Sequence, residues 1–290
     1  MSAPVPLFVE LCAGTAALSL RLHRDGARPP VSRMGAKTGY ADTILRVLGL
    51  MPGQRAERYL WCEPDPGVRL LLHAYRDAAL ARAAAAIIRS WAAEDPRALW
   101  ERLRAEGQPR LPEGEVEAGE VARWAWVQGH GDSSKPPRLA APYQNPDGNA
   151  DGSWKAPPPD WLARRADALP SLPATIAPDA RTIDPPTLPP GTVAYMDPPY
   201  VATSGYAHDL PRAEVVALAR RWAAAGAIVA ISEAEPIPEL VAEGWHAVRI
   251  DAERVGQKRT FSRQQAEWLT LSQPPAWVPA VQASLFGGAR

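Results

Sequence analysis

The residues of this chain best suited to chemistry stand together at 197–200, Asp-Pro-Pro-Tyr, directly behind the apolar run "TVAYM". Each proline disfavours the helical region for the residue before it, and Pro199 removes a backbone donor. The β-branched and aromatic run in front reads as a strand. Asp197, Pro198, Pro199 and Tyr200 therefore form a rigid loop leaving a strand end, where open α/β sheets place their ligand chemistry. Such a loop suits an amino group attached to an aromatic ring, a poor nucleophile because its lone pair is delocalised. The Asp197 carboxylate and the Pro198 carbonyl can each accept one N–H, pulling the nitrogen toward tetrahedral geometry and freeing the lone pair. The prolines hold both acceptors in place, which is electrostatic preorganisation. Tyr200 can stack on the ring, and stacking is worth about 1–3 kcal/mol per base. A carbonyl in the amine's place would leave both acceptors unpaired, at about 1–3 kcal/mol each. The loop selects an amine as well as activating it.

Three further segments carry candidate binding residues. In "FVELCAGTAALSL" a strand, a short loop with Gly14 and a helix start follow one another, and glycine lets backbone approach a ligand closely. An ordinary tight turn would look the same, and without GxGxxG a dinucleotide is not favoured. "WCEPDP" puts Glu63 at the end of a second strand, where a carboxylate accepts ribose hydroxyls well; a solvated strand end is the plainer reading. "SRMGAKTGYADTIL" carries Lys37 in a polar, glycine-flanked turn, suited to pairing with a carboxylate or simply to solvent. Beyond the loop, Tyr206 and His208 in "SGYAHDL" are candidates to line a pocket, with packing the stronger reading for His208. "GQKRTFSR" is a basic patch whose Lys258, Arg259 and Arg263 suit phosphate, or a solvated loop.

The elements that must position these residues alternate. Strands are expected at "PLFVELCAG", "RYLWCEPD", "GTVAYM", "AIVAIS", "WHAVRI" and "AEWLTLS". Helices are expected at "TAALSLRLHRDG", "ADTILRVLG", from the second strand through about residue 90, "LPRAEVVALARRWAAAG" and "PIPELVAEG". This alternation implies an α/β fold with a mixed, mostly parallel sheet covered on both faces, and two adjacent final strands imply an antiparallel hairpin at one edge. That is the pattern of a Rossmann-like methyltransferase fold. Composition shifts in the middle: of 32 prolines, many fall between 136 and 199. Residues 91–189 are accordingly expected to be an inserted, loop-rich segment, kept in order because Trp91, Trp100, Trp124, Trp126, Trp154 and Trp161 are costly to leave in water. Residues 1–90 and 190–275 would form the catalytic domain and 276–290 a tail. The formal net charge of zero neither favours nor disfavours a polyanionic partner, since local clustering decides. Two cysteines in unrelated contexts, Cys12 and Cys62, argue against a disulfide scaffold or zinc module and suit a reducing cytosol. The start lacks a signal-peptide pattern and no run reaches membrane-spanning length, so a soluble cytoplasmic protein is expected.

At "FVELCAG", "GAKTGYADTIL", "WCEPDP", "TVAYMDPPY", "SGY" and "GQKRTFSRQQAEWLTLS", motifs set within 1–90 and 190–275, the sequence resembles the Dam-like, Asp-Pro-Pro-Tyr class of DNA adenine-N6 methyltransferases. In this chain the glycine–lysine segment follows the first cofactor motif, where the family usually has it first. The resemblance implies S-adenosylmethionine as cofactor, with Phe8, Glu10, Ala13 and Gly14 shaping its site and Glu63 on the ribose. It implies Lys37 on the methionine carboxylate and Asp184 of "ARTIDPP" on the cofactor adenine. Asp197, Pro198 and Tyr200 would receive a target adenine flipped out of DNA at a cost of a few kcal/mol. Methyl transfer would be a direct in-line displacement without metal, Asp197 accepting the proton once the amine is methylated. Residues 91–189 would hold the target-recognition segment, with "RWAWVQGHGDSSKPPR" mixing aromatic, amide and basic groups. DNA is the expected partner, and a cognate restriction nuclease is a further candidate. Neighbouring readings stay open: an N4-cytosine methyltransferase, more often Ser-Pro-Pro-Tyr; an RNA or protein-amide methyltransferase, more often Asn at the Asp197 position; and a silent nucleic-acid-binding module. Carbon-5 cytosine methylation would need a nucleophilic cysteine, typically after proline, whereas Cys12 follows Leu11 and Cys62 follows Trp61.

Overall fold

Parallel strands fed by buried apolar runs make the centre of the computed structural model, which describes residues 3–29, 37–107, 111, 115–130, 163–164, 167–169, 171–185, 187–200, 208–250 and 266–279. The strands are β1 (Phe8–Glu10), β2 (Tyr59–Cys62), β3 (Ala174–Ala177), β4 (Val193–Met196), β5 (Ile228–Glu233), β6 (His246–Arg249) and β7 (Trp268–Leu271). They form one sheet in the order β3-β2-β1-β4-β5-β7-β6. The first five are parallel, with Phe8 opposite both Tyr59 and Val193. β7 runs antiparallel to β5 on one side and to β6 on the other. The architecture is α/β with a mixed, mostly parallel sheet, compatible with a Rossmann-like fold. The expected edge hairpin is present, with β7 rather than β6 against β5.

Both faces of the sheet are covered, which is why its strands read as continuous apolar runs. Along β4 the pleat sends Val193 and Tyr195 into one core and Ala194 and Met196 into the other. The first core is closed by helices α1 (Ala17–His23), α2 (Ala41–Val47), α3 (Pro66–Arg76), α4 (Ala78–Ser90), α5 (Pro96–Ala105) and α6 (Ala118–His130). The second is closed by α7 (Arg212–Ala224) and α8 (Pro238–Ala242), with the Trp222 indole fully buried. No helix among the described residues is long and apolar enough to cross a membrane.

Two local features differ from the sequence expectation. The single helix expected to run to about residue 90 is two helices, broken at Asp77. That residue is the C-cap of α3 and the N-cap of α4, its carboxylate accepting from the Ala79 and Leu80 amides. Within 91–189, where no strand was expected, Ala174–Ala177 is β3, hydrogen-bonded in register to Tyr59–Cys62 in the central sheet. In the same stretch α5 and α6 put Trp100, Trp124 and Trp126 into the core that holds Trp61 and Tyr75. Trp91 is half-buried and packs edge-on to Trp126 at 5.9 Å. Trp154 and Trp161 lie outside the described residues. Helix α6 shows weak periodicity because Val121–His130 is buried on every side, leaving no polar stripe for a pattern to mark.

Candidate active site

At the end of β1 the chain turns through Leu11–Ala16 into α1, and neighbouring strands hold the turn. The Leu11 amide donates to the Tyr195 carbonyl (2.9 Å), and that of Ala13 to the Cys62 carbonyl (2.9 Å). Gly14 has φ +51°, and a Cβ built there would meet nothing within 4 Å. The positive φ favours glycine, and the space before it is open to a ligand. Ala16, at φ 48°, adopts the same left-handed conformation without that freedom. The Thr15 hydroxyl oxygen is buried and has no hydrogen-bond partner among the described residues.

Glu10, 2% exposed, anchors the turn from beneath. Its Oε1 accepts from the Ser19 amide of α1 at 2.8 Å, and the Ser19 hydroxyl in turn accepts from Trp61 Nε1 at 2.8 Å. Burial pushes the Glu10 carboxyl up to about 7 against the pull of the Ser19 hydrogen bonds. At the end of β2, buried Glu63 accepts from the Gly14 amide through Oε2 (2.8 Å) and from the Asp65 amide through Oε1 (3.0 Å). The second strand end is thereby tied to the first strand's glycine turn.

Asp197 follows β4 by one residue. Its Oδ1 accepts from Lys37 Nζ at 2.6 Å, and the same ammonium lies 3.7 Å from Glu267 Oε1 and 4.8 Å from the centre of the Tyr200 ring. The Tyr200 hydroxyl donates to Glu267, the residue just before β7. Lys37 is buried, so its charge must be compensated locally. Burial pushes the Glu267 carboxyl up, and Lys37 pulls it back down. The Tyr200 hydroxyl is held well above its ordinary range by burial and by the carboxylates of Asp197 and Glu267. At the end of β5, burial lifts Glu233 to about 7, while Arg212, 3.8 Å away, draws it down.

The ends of β1, β2 and β4 open on one cleft of about 1000 Å³ of empty space, open solvent included; Glu233 and Glu267 are not among the residues that line it. Of the sequence-derived candidates, Glu10, Ala13, Gly14, Lys37, Glu63, Asp197, Pro199 and His208 line it. Pro198 is buried, and Tyr200 is half-buried beside Lys37. Phe8 is fully buried beneath, edge-on to Tyr59 at 6.5 Å in the core. Asp184 is 90% exposed, pairs with Arg221 at 3.2 Å and does not line the cleft. Tyr206, Lys258, Arg259 and Arg263 lie outside the described residues. Cys12 also lines the cleft, its thiol pushed up by burial and by the neighbouring carboxylates of Asp197 and Glu63.

Three residues escaped the sequence reading. Asp179 and Arg181 line the cleft just past β3, with the Asp179 carboxylate accepting from the Arg181 amide (2.9 Å) and guanidinium. The signal was an Asp two residues beyond "ATIA", a four-residue apolar run between prolines 173 and 178. Glu267 was the third: an acidic residue opening the apolar run "WLTL". Compared with protein-family models and with curated proteins, the chain matches none.

Proposed function

We propose that this chain is a DNA methyltransferase that carries a methyl group from S-adenosylmethionine to the N6 amino group of an adenine flipped into the cleft. One observation carries the reading: the Asp197 carboxylate, rigidly placed by Pro198 and Pro199 at the end of β4, opens on the same cleft as the Gly14 turn and Glu63. The edge order β5-β7-β6, with β7 antiparallel, adds support as the sheet pattern of Rossmann-like methyltransferases.

The cleft residues fit such a cofactor. Gly14 leaves open space where a side chain would stand, and the buried Thr15 hydroxyl has a hydrogen bond still to make. The Glu63 carboxylate stands at the cleft, accepting from two amides, and a carboxylate is an acceptor type suited to ribose hydroxyls. Asp179, past the neighbouring strand, brings a further acceptor to that end of the cleft. S-adenosylmethionine supplies an electrophilic methyl group on a sulfonium centre. Asp197 and the Pro198 carbonyl take the two N–H groups of the target amine, and Tyr200 offers a ring face to the base. After transfer the methylated nitrogen carries a surplus proton, which passes to the Asp197 carboxylate that accepted its N–H.

Replacing Asp197 with alanine tests the reading. Methyl transfer to DNA is expected to disappear, while S-adenosylmethionine binding by calorimetry stays within about threefold of wild type, because Asp197 is not asked to hold the cofactor. Retained turnover in the Asp197→Ala protein would refute the assignment.

A further inference from the structure

In this structure the Lys37 ammonium, an N–H donor, sits 2.6 Å from Asp197 Oδ1 and 4.8 Å from the centre of the Tyr200 ring. Those are the acceptor and the ring face that a target amine and its base need. Lys37 holds one oxygen of that carboxylate, Oδ1, and a target amine aimed at the same oxygen contends with it. The side chain of Lys37 is only 6% exposed, so it cannot give up Asp197 for solvent, and a buried charge without a counter-ion is strongly disfavoured. A second carboxylate stands within reach. Glu267 Oε1 is 3.7 Å from the same nitrogen, on a side chain 9% exposed, fixed at the start of β7 and by the Tyr200 hydroxyl. Closing 3.7 Å to a charge-assisted hydrogen bond of about 2.8 Å needs only a small swing of the lysine tip.

We infer that Glu267 is a positioning residue: it takes Lys37 over when the target amine reaches Asp197, and through its contact with the Tyr200 hydroxyl it holds the stacking ring in register with that exchange. The inference rests on the methyltransferase reading. The side chain touches neither the methyl group nor the amine and acts through Lys37 and Tyr200. Lys37 remains neutralised in both states, first by Asp197 and then by Glu267, so that Asp197 becomes available without stranding a buried cation.

Glu267→Gln separates these roles, because its carbonyl oxygen still accepts from the Tyr200 hydroxyl while the negative charge is gone. The KM for unmethylated DNA is expected to rise roughly tenfold, the low end of what one charged hydrogen-bond partner is worth, with the dissociation constant for S-adenosylmethionine unchanged. In a Lys37→Met background the same substitution is expected to leave the KM for DNA where Lys37→Met alone puts it, since there is no ammonium left to receive. An unchanged KM in Glu267→Gln, or an equal rise in both backgrounds, would overturn the inference while leaving the methyltransferase reading intact. A wild-type protein that transfers no methyl group to DNA would overturn that reading, and the inference with it.

Discussion

Glu10 is buried at the cleft, where the hydrogen bonds from Ser19 do not offset what burial costs its charge, and that has a measurable consequence. Burial raises its carboxyl from the ordinary 4.5 to about 7. The native state then holds a proton more tightly than the unfolded chain does. Between those two values the folded protein binds more protons, so this group's contribution to stability falls as pH rises through the window. The full fall is about 3 kcal/mol, at 1.36 kcal/mol for each unit of pKa difference. Below the window native and unfolded chains are both protonated there, and no penalty exists. Glu10→Gln removes the titration while keeping an oxygen to accept from the Ser19 amide. The amide group changes stability by some constant amount, but only the carboxylate adds a pH-dependent part. Urea unfolding followed by circular dichroism is the assay, run on both proteins from about pH 4 to about pH 8. The Glu10→Gln protein is expected to gain on wild type by about 3 kcal/mol across that range, a midpoint shift on the order of 1 M urea. Glu233 titrates in the same window but is common to both proteins, so it cancels in the difference. A difference that stays flat with pH would refute the claim that burial outweighs the Ser19 hydrogen bonds at Glu10.

Glu63→Ala removes the acceptor that holds the Gly14 amide and that the proposal places on the ribose. S-adenosylmethionine binding by calorimetry is expected to weaken roughly 10- to 100-fold, and unchanged affinity would move the ribose elsewhere. Gly67 in the first turn of α3 has no room for a methyl group: a Cβ there would lie 2.0 Å from Trp124 Cε2. Gly67→Ala is therefore expected to cost about 1–3 kcal/mol despite alanine's better helix propensity, read as a lower melting temperature. A rise in melting temperature would show that the indole yields freely.

The parts of the site legible in the sequence were those whose residue types constrain backbone. Asp197-Pro198-Pro199-Tyr200 announces a rigid loop behind a strand by its prolines alone, and Gly14 marks a turn that needs positive φ. Strands buried on both faces, such as β4 and β5, stand out as unbroken apolar runs. What stayed hidden depends on contacts far apart in sequence. β3 is four residues between prolines, too short to announce itself, and only pairing with β2 makes it a strand. Asp179, just past β3, lines the cleft, whereas Asp184, named by the resemblance, stands in solvent beside Arg221. Asp77 reads as one more polar residue in a long helix until its carboxylate is seen capping α4. Glu267 gains meaning only when the antiparallel β7 brings it back to Tyr200 and Lys37, residues 67 and 230 positions upstream (267 − 200 and 267 − 37).

The central claim is chemical, and the most direct measurement is chemical too. The protein is incubated with S-adenosylmethionine labelled in the methyl group and with unmethylated genomic DNA, and the DNA is digested to nucleosides for mass spectrometry. Label is expected in N6-methyladenine, formed by wild type and lost in Asp197→Ala. Label confined to N4-methylcytosine, or no label while the cofactor still binds, would contradict the claim.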